Sequence, residues 1–259
     1  AVTSEESPTY VELPPELGVP PGTCALLRKH MYGTRGAADG WQSEYSSTLR
    51  SFGFSQGSAS ACVFRHKERQ LACSVHGDDF TVAGPCKSLD WFEAEMRKKY
   101  ELTVGGRLGP GPSDAKEVSV LNRIVRWTPK GIDYEADPRQ VEKLLQEIEL
   151  EGANGAATPG QKVLSHQIES ETELCEREHT KYRALVARAN YLAADRIDII
   201  YSAKECCRFM SRPTDIAMGA LKRLARFLRA RPRLVFSFNF QAAASLDVYT
   251  DTDLSLIHI

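Results

Sequence analysis

At 259 residues, with 42% hydrophobic and 26% charged content, the chain is long enough for one large or two small globular domains. A formal net charge of −1 excludes a uniformly basic nucleic-acid binder, and no run approaches the ~18 apolar residues of a membrane span. The acidic start Ala1-Val2-Thr3-Ser4-Glu5-Glu6 is unlike a secretory signal, and seven cysteines with no Cys-x-x-Cys pair read as reduced structural thiols, not zinc ligands.

In chain order, residues 1–23 carry Pro8, Pro14, Pro15, Pro20 and Pro21 and read as extended or loop. Trp41, Tyr45, Leu49 and Phe52 then recur at helical spacing between a capping Asp39 and a terminating Gly53. Ser60–Phe64 and Leu71–His76 read as strands around the polar turn His66-Lys67-Glu68-Arg69, and a second helix from Ser88 presents Leu89, Phe92 and Met96 on its apolar side. Gly105–Ser113 is a loop by its Gly and Pro content, and Val118–Trp127 with Gly131–Tyr134 reads as a hairpin. Asp137-Pro138 starts a third helix with Val141, Leu144, Leu145 and Ile148 on one face. The compositional break Gly152–Gly160 is the expected domain boundary. Beyond it helices are expected over Tyr182–Ala194, Ile197–Met210 and Thr214–Leu228, and a strand over Leu246–Thr250. The fold class these elements predict is α+β.

Between two of the strand segments stands His76-Gly77-Asp78-Asp79-Phe80. Gly77-Asp78 supplies the Gly-X centre of a type II′ turn, and two adjacent carboxylates at such a bend are oxygen donors suited to Mg²⁺ or Mn²⁺ together with a substrate phosphate. Two-metal sites clamp the attacking and leaving oxygens of a phosphoryl transfer. An ordinary surface turn in which Asp caps its own backbone has the same sequence. His76 is either a general base beside the acids or a packed strand-end histidine. A phosphotransferase or hydrolase of another kind lacks support, since neither a Gly-x-x-x-x-Gly-Lys-Ser/Thr loop nor a Gly-x-Ser-x-Gly elbow is present.

Charge is unevenly spread. From Lys204 to Arg233 nine basic residues face only Glu205 and Asp215, a local excess of seven positive charges. Lys222, Arg226 and Arg229 fall on the outward side of the last helix, and this basic surface either meets nucleic-acid phosphates or forms a solvated face.

Three collinear blocks resemble the reverse transcriptase of copia-type LTR retrotransposons, over roughly residues 10–253. The first runs from Leu27 to Trp41 and includes Tyr32-Gly33-Thr34-Arg35-Gly36; the second is the strand, Asp78-Asp79, strand unit. The third joins Tyr182–Val186, Asn190–Leu192, Arg196-x-Asp198-Ile199, Arg208–Thr214 and Ala220–Arg223. The resemblance implies a palm-like antiparallel sheet packed by helices, followed by a mostly helical thumb and connection. Its divisions are a partial palm over 1–104, the end of palm and thumb over 105–160, a helical connection over 161–245 and the start of an RNase H-like domain over 246–259.

It also implies roles. Asp78 and Asp79 would be catalytic and would ligate Mg²⁺ or Mn²⁺, while Tyr32, Gly33, Arg35 and Gly36 would lie beside nucleotide and template. Lys222, Arg223, Arg226 and Arg229 would serve the nucleic-acid backbone. Asp251, in Val248-Tyr249-Thr250-Asp251, is either the first metal ligand of the RNase H-like domain or a surface turn acid. The partners implied are RNA template, DNA primer, deoxynucleotide triphosphates and other parts of a polyprotein, in a cytoplasmic particle or the nucleus.

The departures are specific. The family's further Asp stands in an Asp-Val-x-x-Ala-Phe-Leu motif before the segment matched by Tyr10–Pro15. The expectation is therefore a segment short of one metal ligand and inactive alone, or a non-catalytic nucleic-acid-binding remnant. Gly36 and Ala38 replace the family's Gln and Pro, Gly77 replaces a larger apolar residue, and Leu254–Ile259 does not continue the family's Trp-Ala-Gly.

Overall fold

A computed structural model describes residues 8–34, 36–161, 171–241 and 248. The chain divides into two units, Ala1–Thr103 and Val104–Ile259. With antiparallel sheets and six α-helices among the described residues, it is α+β as expected. The Leu246–Thr250 strand falls almost entirely outside the described residues.

In the first unit a short ribbon pairs β1 (Tyr10–Glu12) with β2 (Cys24–Leu26), and helix α1 (Ala37–Ser51) follows. Strands β3 (Ser55–Gln56), β4 (Val63–His66), β5 (Leu71–His76) and β6 (Asp79–Ala83) form an antiparallel sheet in that order, and α2 (Cys86–Arg97) closes the unit. Alternation does the sorting: Leu71, Cys73 and Val75 are buried while Ala72, Ser74 and His76 between them are exposed. The buried set packs on Tyr45 and Leu49 of α1 and on Phe92 and Met96 of α2. Tyr45 sits edge-on to both Phe64 and Phe80, each at 6.0 Å, an arrangement that favours aromatic pairs beyond their buried area. Since both helices contribute to the core on one face of the sheet, the other face, with Arg65, Ala72, Ser74, His76, Asp79, Thr81 and Ala83, is left exposed.

One turn is displaced from its expected place. His66 is not part of the polar turn but the buried last residue of β4, edge-on to Phe54 and Trp91, with Nδ1 accepting the Arg69 amide at 3.3 Å. An imidazole whose polar atom has a backbone partner packs as an aromatic ring, which polarity counting cannot register.

In the second unit β7 (Glu117–Val120), β8 (Arg123–Thr128), β9 (Gly131–Glu135) and β10 (Val235–Asn239) form an antiparallel sheet of order β10-β9-β8-β7. The stretch Val118–Trp127, expected as one arm of a hairpin, is itself a hairpin. Leu121 and Asn122 turn it with φ of 49° and 67°, the pair of left-handed residues of a type I′ turn. Leu is an unusual residue there, so the signal was absent from the sequence.

Helices α3 (Pro138–Glu147), α4 (Glu176–Ala193), α5 (Ile200–Cys207) and α6 (Asp215–Ala230) enclose the second core around Leu144, Tyr182, Leu185, Ile199, Leu221, Leu224 and Leu228. Asp137 caps α3 by accepting the Arg139 amide, and Thr214 caps α6 by accepting that of Ala217. The region after residue 160 is thus not only helical, because β10 returns to pair with β9. Nor is Gly152–Gly160 a boundary: the Ala156 amide donates to the Arg226 carbonyl at 3.1 Å, inside the second unit. Glycine and proline there interrupt secondary structure without interrupting packing.

Candidate metal and nucleic-acid site

The register His76↔Asp79 leaves Gly77 and Asp78 as the two turn residues, and Gly77 takes φ 62° while Asp78 stays out of the left-handed region. That combination is the expected Gly-X turn. Phe80 and Val82 pack toward the core, so Asp79 lies on the opposite, open face beside its cross-strand neighbour His76. Asp78 and Asp79 are both exposed, and neither is hydrogen-bonded to a side chain or paired with a cation among the described residues.

The tip is anchored from outside the hairpin. The indole N–H of Trp41, in the first turns of α1, donates to the Gly77 carbonyl at 2.7 Å. Its ring is edge-on to Tyr45, Phe80 and Tyr100 at 5.5–6.4 Å. Helical spacing and the Leu27–Trp41 block both include Trp41, but neither indicates this bond to the hairpin tip. Burial, with the Cys62 thiol beside it, pushes the Tyr45 hydroxyl up to about 12, and burial alone does the same to the Cys73 thiol. These groups stay protonated and serve packing. All seven cysteines are free thiols.

Exposed oxygen donors at a bend suit a hard cation that keeps most of its waters and is completed by substrate phosphate. Among the described residues no group of three or more His, Cys, Asp or Glu side chains gathers around them. Asp251 and Arg35 lie outside the described residues. The rest of the first block forms a tight turn: Thr34 donates its amide and hydroxyl to the Met31 carbonyl, Gly33 takes φ 89°, and Tyr32 projects with its side chain wholly exposed. Gly36 forms the N-cap of α1.

In the second unit most of the basic run is already committed. Lys204 and Arg208 share Glu205 at 2.8 and 3.0 Å, Arg212 binds Glu173 at 2.9 Å, and Arg233 binds the buried carboxylate of Glu135. Arg223 reaches Thr158 Oγ1, Gly160 O and Gln161 Oε1 at 2.8–3.2 Å, and Arg229 bonds the Glu151 carbonyl. Of the four residues expected at a nucleic-acid backbone, Lys222 and Arg226 make no side-chain hydrogen bond among the described residues; both are exposed.

Arg196 and Asp198, quoted above as a motif, form a bidentate pair at 2.8–2.9 Å in which the Arg is 1% exposed. Arg196 also donates to the carbonyls of Arg231 and Pro232, closing the end of α6. This is a structural brace.

The chain is 28% identical over 237 residues to the retrovirus-related Pol polyprotein from transposon RE1 of Arabidopsis thaliana, and 27% identical over 240 residues to that from transposon RE2. It is similar to part of a retroelement polyprotein. In both comparisons the match covers 90% of this chain and 15% of the relative, so the chain spans about a seventh of the curated relatives it matches. No protein-family profile and no solved structure matches it. None of its helices, among the described residues, is long and apolar enough to cross a membrane.

Proposed function

We propose that this chain is a reverse-transcriptase segment of a copia-type retroelement polyprotein, with Asp78 and Asp79 as two of the carboxylates that hold Mg²⁺ or Mn²⁺ for nucleotidyl transfer. The observation that carries the reading is an Asp-Asp pair at an exposed hairpin tip, unpaired with any described cation, within a chain similar along 90% of its length to Pol polyproteins. The metal would polarise the incoming triphosphate and the primer 3′-hydroxyl. The chain's own part is to fix the two acids on a rigid turn, and Trp41 does this from α1. Beyond Asp79 and its cross-strand neighbour His76, the middle of the open sheet face carries the small side chains Ala72, Ser74, Thr81 and Ala83, which would allow a primer end to approach the backbone closely. Tyr32, Gly33 and Gly36 would border nucleotide and template.

With no third acid beside the pair among the described residues, this chain alone is expected to give at most trace primer extension on an RNA template with Mg²⁺ or Mn²⁺. Extension is expected to rise when a polyprotein segment carrying a further carboxylate is supplied, and to vanish in Asp78→Asn protein of unchanged circular dichroism. Robust extension by the Asp78→Asn protein would sink the reading.

A further inference from the structure

The hydrogen-bonded cations of the basic run fall into two chemical classes. Lys204, Arg208, Arg212 and Arg233 are bonded to carboxylates, Lys204 and Arg208 sharing one. Among the described residues, Arg223 and Arg229 are bonded only to neutral acceptors: two carbonyls, an amide oxygen and a hydroxyl. Their charge is retained. All of these acceptors belong to one stretch, residues 151–161, which runs along α6 from Arg229 back to Arg223. The Ala156 amide fastens it midway to the Arg226 carbonyl, and Gly155 lies so close to Ala230 that an added Cβ would come within 2.7 Å of the alanine methyl.

A guanidinium held by carbonyls gains by exchanging them for phosphate oxygens, since an anionic acceptor adds Coulomb attraction and a bidentate fit to the hydrogen bond. We infer that residues 151–161 form a removable strap over a phosphate-binding face of α6, and that nucleic acid binds there by displacing the strap and taking over Arg223 and Arg229. The inference rests on the nucleic-acid part of the function proposed above and adds a self-inhibitory contact to it. The strap's acceptors carry no charge, so opening it costs affinity without altering the number of counterions released; the apparent affinity is the intrinsic one scaled by the open fraction.

Fluorescence anisotropy with a labelled oligouridylate, titrated over a series of salt concentrations, tests this. Gly155→Val, which cannot sit against Ala230, is expected to bind more tightly than the wild type with an unchanged slope of log K on log salt. Adding Arg223→Gln and Arg229→Gln is expected to make that slope shallower by about 1.4, two contacts at ~0.7 each for a single strand. Hydrogen exchange of the unaltered protein gives a second measure: amides of 151–161 are expected to lose protection when the oligonucleotide binds. Unchanged or weaker binding by a folded Gly155→Val protein overturns the strap, as does unchanged or increased protection of 151–161 in the complex. Should Gly155→Val fail to fold, the exchange result decides. Absence of any binding at low salt overturns the strap and the nucleic-acid reading together, whereas binding with the strap still protected overturns the strap alone.

Discussion

Asp78 and Asp79 stand in solvent with no described cation bonded to them, whereas Lys204, Arg208, Arg212 and Arg233 are each bonded to a carboxylate of their own unit. Charge density in a sequence therefore overstates what a surface offers: nine basic residues reduce to a few with charge to spare, while two acids in a short turn keep all of theirs. Uncompensated charge held on rigid backbone is the better marker of a place where something binds. Paired charge marks structure.

The contrast breaks if the paired charges prove dispensable. Arg196→Ala should have the largest effect, because it strands Asp198 and uncaps the carbonyls of Arg231 and Pro232. Removing one partner of a buried pair costs about 3–5 kcal/mol, read as a fall in the urea-unfolding free energy of the second unit. A loss below about 1 kcal/mol would remove Arg196 from the set of structural charges.

Glu135 comes next. The Arg233 guanidinium bonded to it, with Arg126 adding to the effect, holds its carboxyl below the ordinary carboxylate range. A depressed folded value means stability that is present above the unfolded pKa of ~4.3 and lost as pH falls through the lower folded one. Urea midpoints should accordingly hold from neutral pH to about 5 and fall below about 4, with Glu135→Gln weakening the protein by about 1.5–3 kcal/mol near neutrality and flattening part of the acid decline. A Glu135→Gln variant with the wild-type acid profile would break the link between this ion cluster and stability.

The smallest effect sharpens the comparison from the other side. Trp41→Phe keeps an aromatic ring, though a smaller one, but removes the donor to Gly77; the lost hydrogen bond costs about 1 kcal/mol and should speed amide exchange at the tip of the β5–β6 hairpin more than in α2. Equal exchange changes in both would show that the indole supports the unit in general and not the tip in particular.

What could be read from the sequence was local. Leu71–His76 announces its strand because alternation and burial coincide, and the Gly77-Asp78 bend follows from glycine beside a short polar residue. The Leu121-Asn122 turn could not be foreseen, since leucine disfavours the positive φ that a two-residue turn between Val120 and Arg123 requires of it. β10 was a signal present but not read: Phe236-Ser237-Phe238-Asn239-Phe240 alternates apolar and polar residues as a strand does, even though Phe238 and Phe240 stay exposed and the strand's place is set by pairing with β9.

The site was half legible. Adjacent acids are visible in any listing of residues, but the donor that steadies them lies 36 positions away and looks like an ordinary core tryptophan. The commitment of Arg233 to Glu135 spans 98 positions, and that of Arg212 to Glu173 spans 39. Nothing in the local pattern distinguishes those arginines from free ones.

The bond from Trp41 to the hairpin has an optical consequence. Of the chain's three indoles, Trp91 lies under the Arg69 guanidinium at 3.7 Å and Trp127 beside the Lys116 ammonium at 5.1 Å, while Trp41 alone touches the bend that carries the acids. Its fluorescence is a built-in gauge of that bend, sensitive to an arriving ion or oligonucleotide without any attached dye.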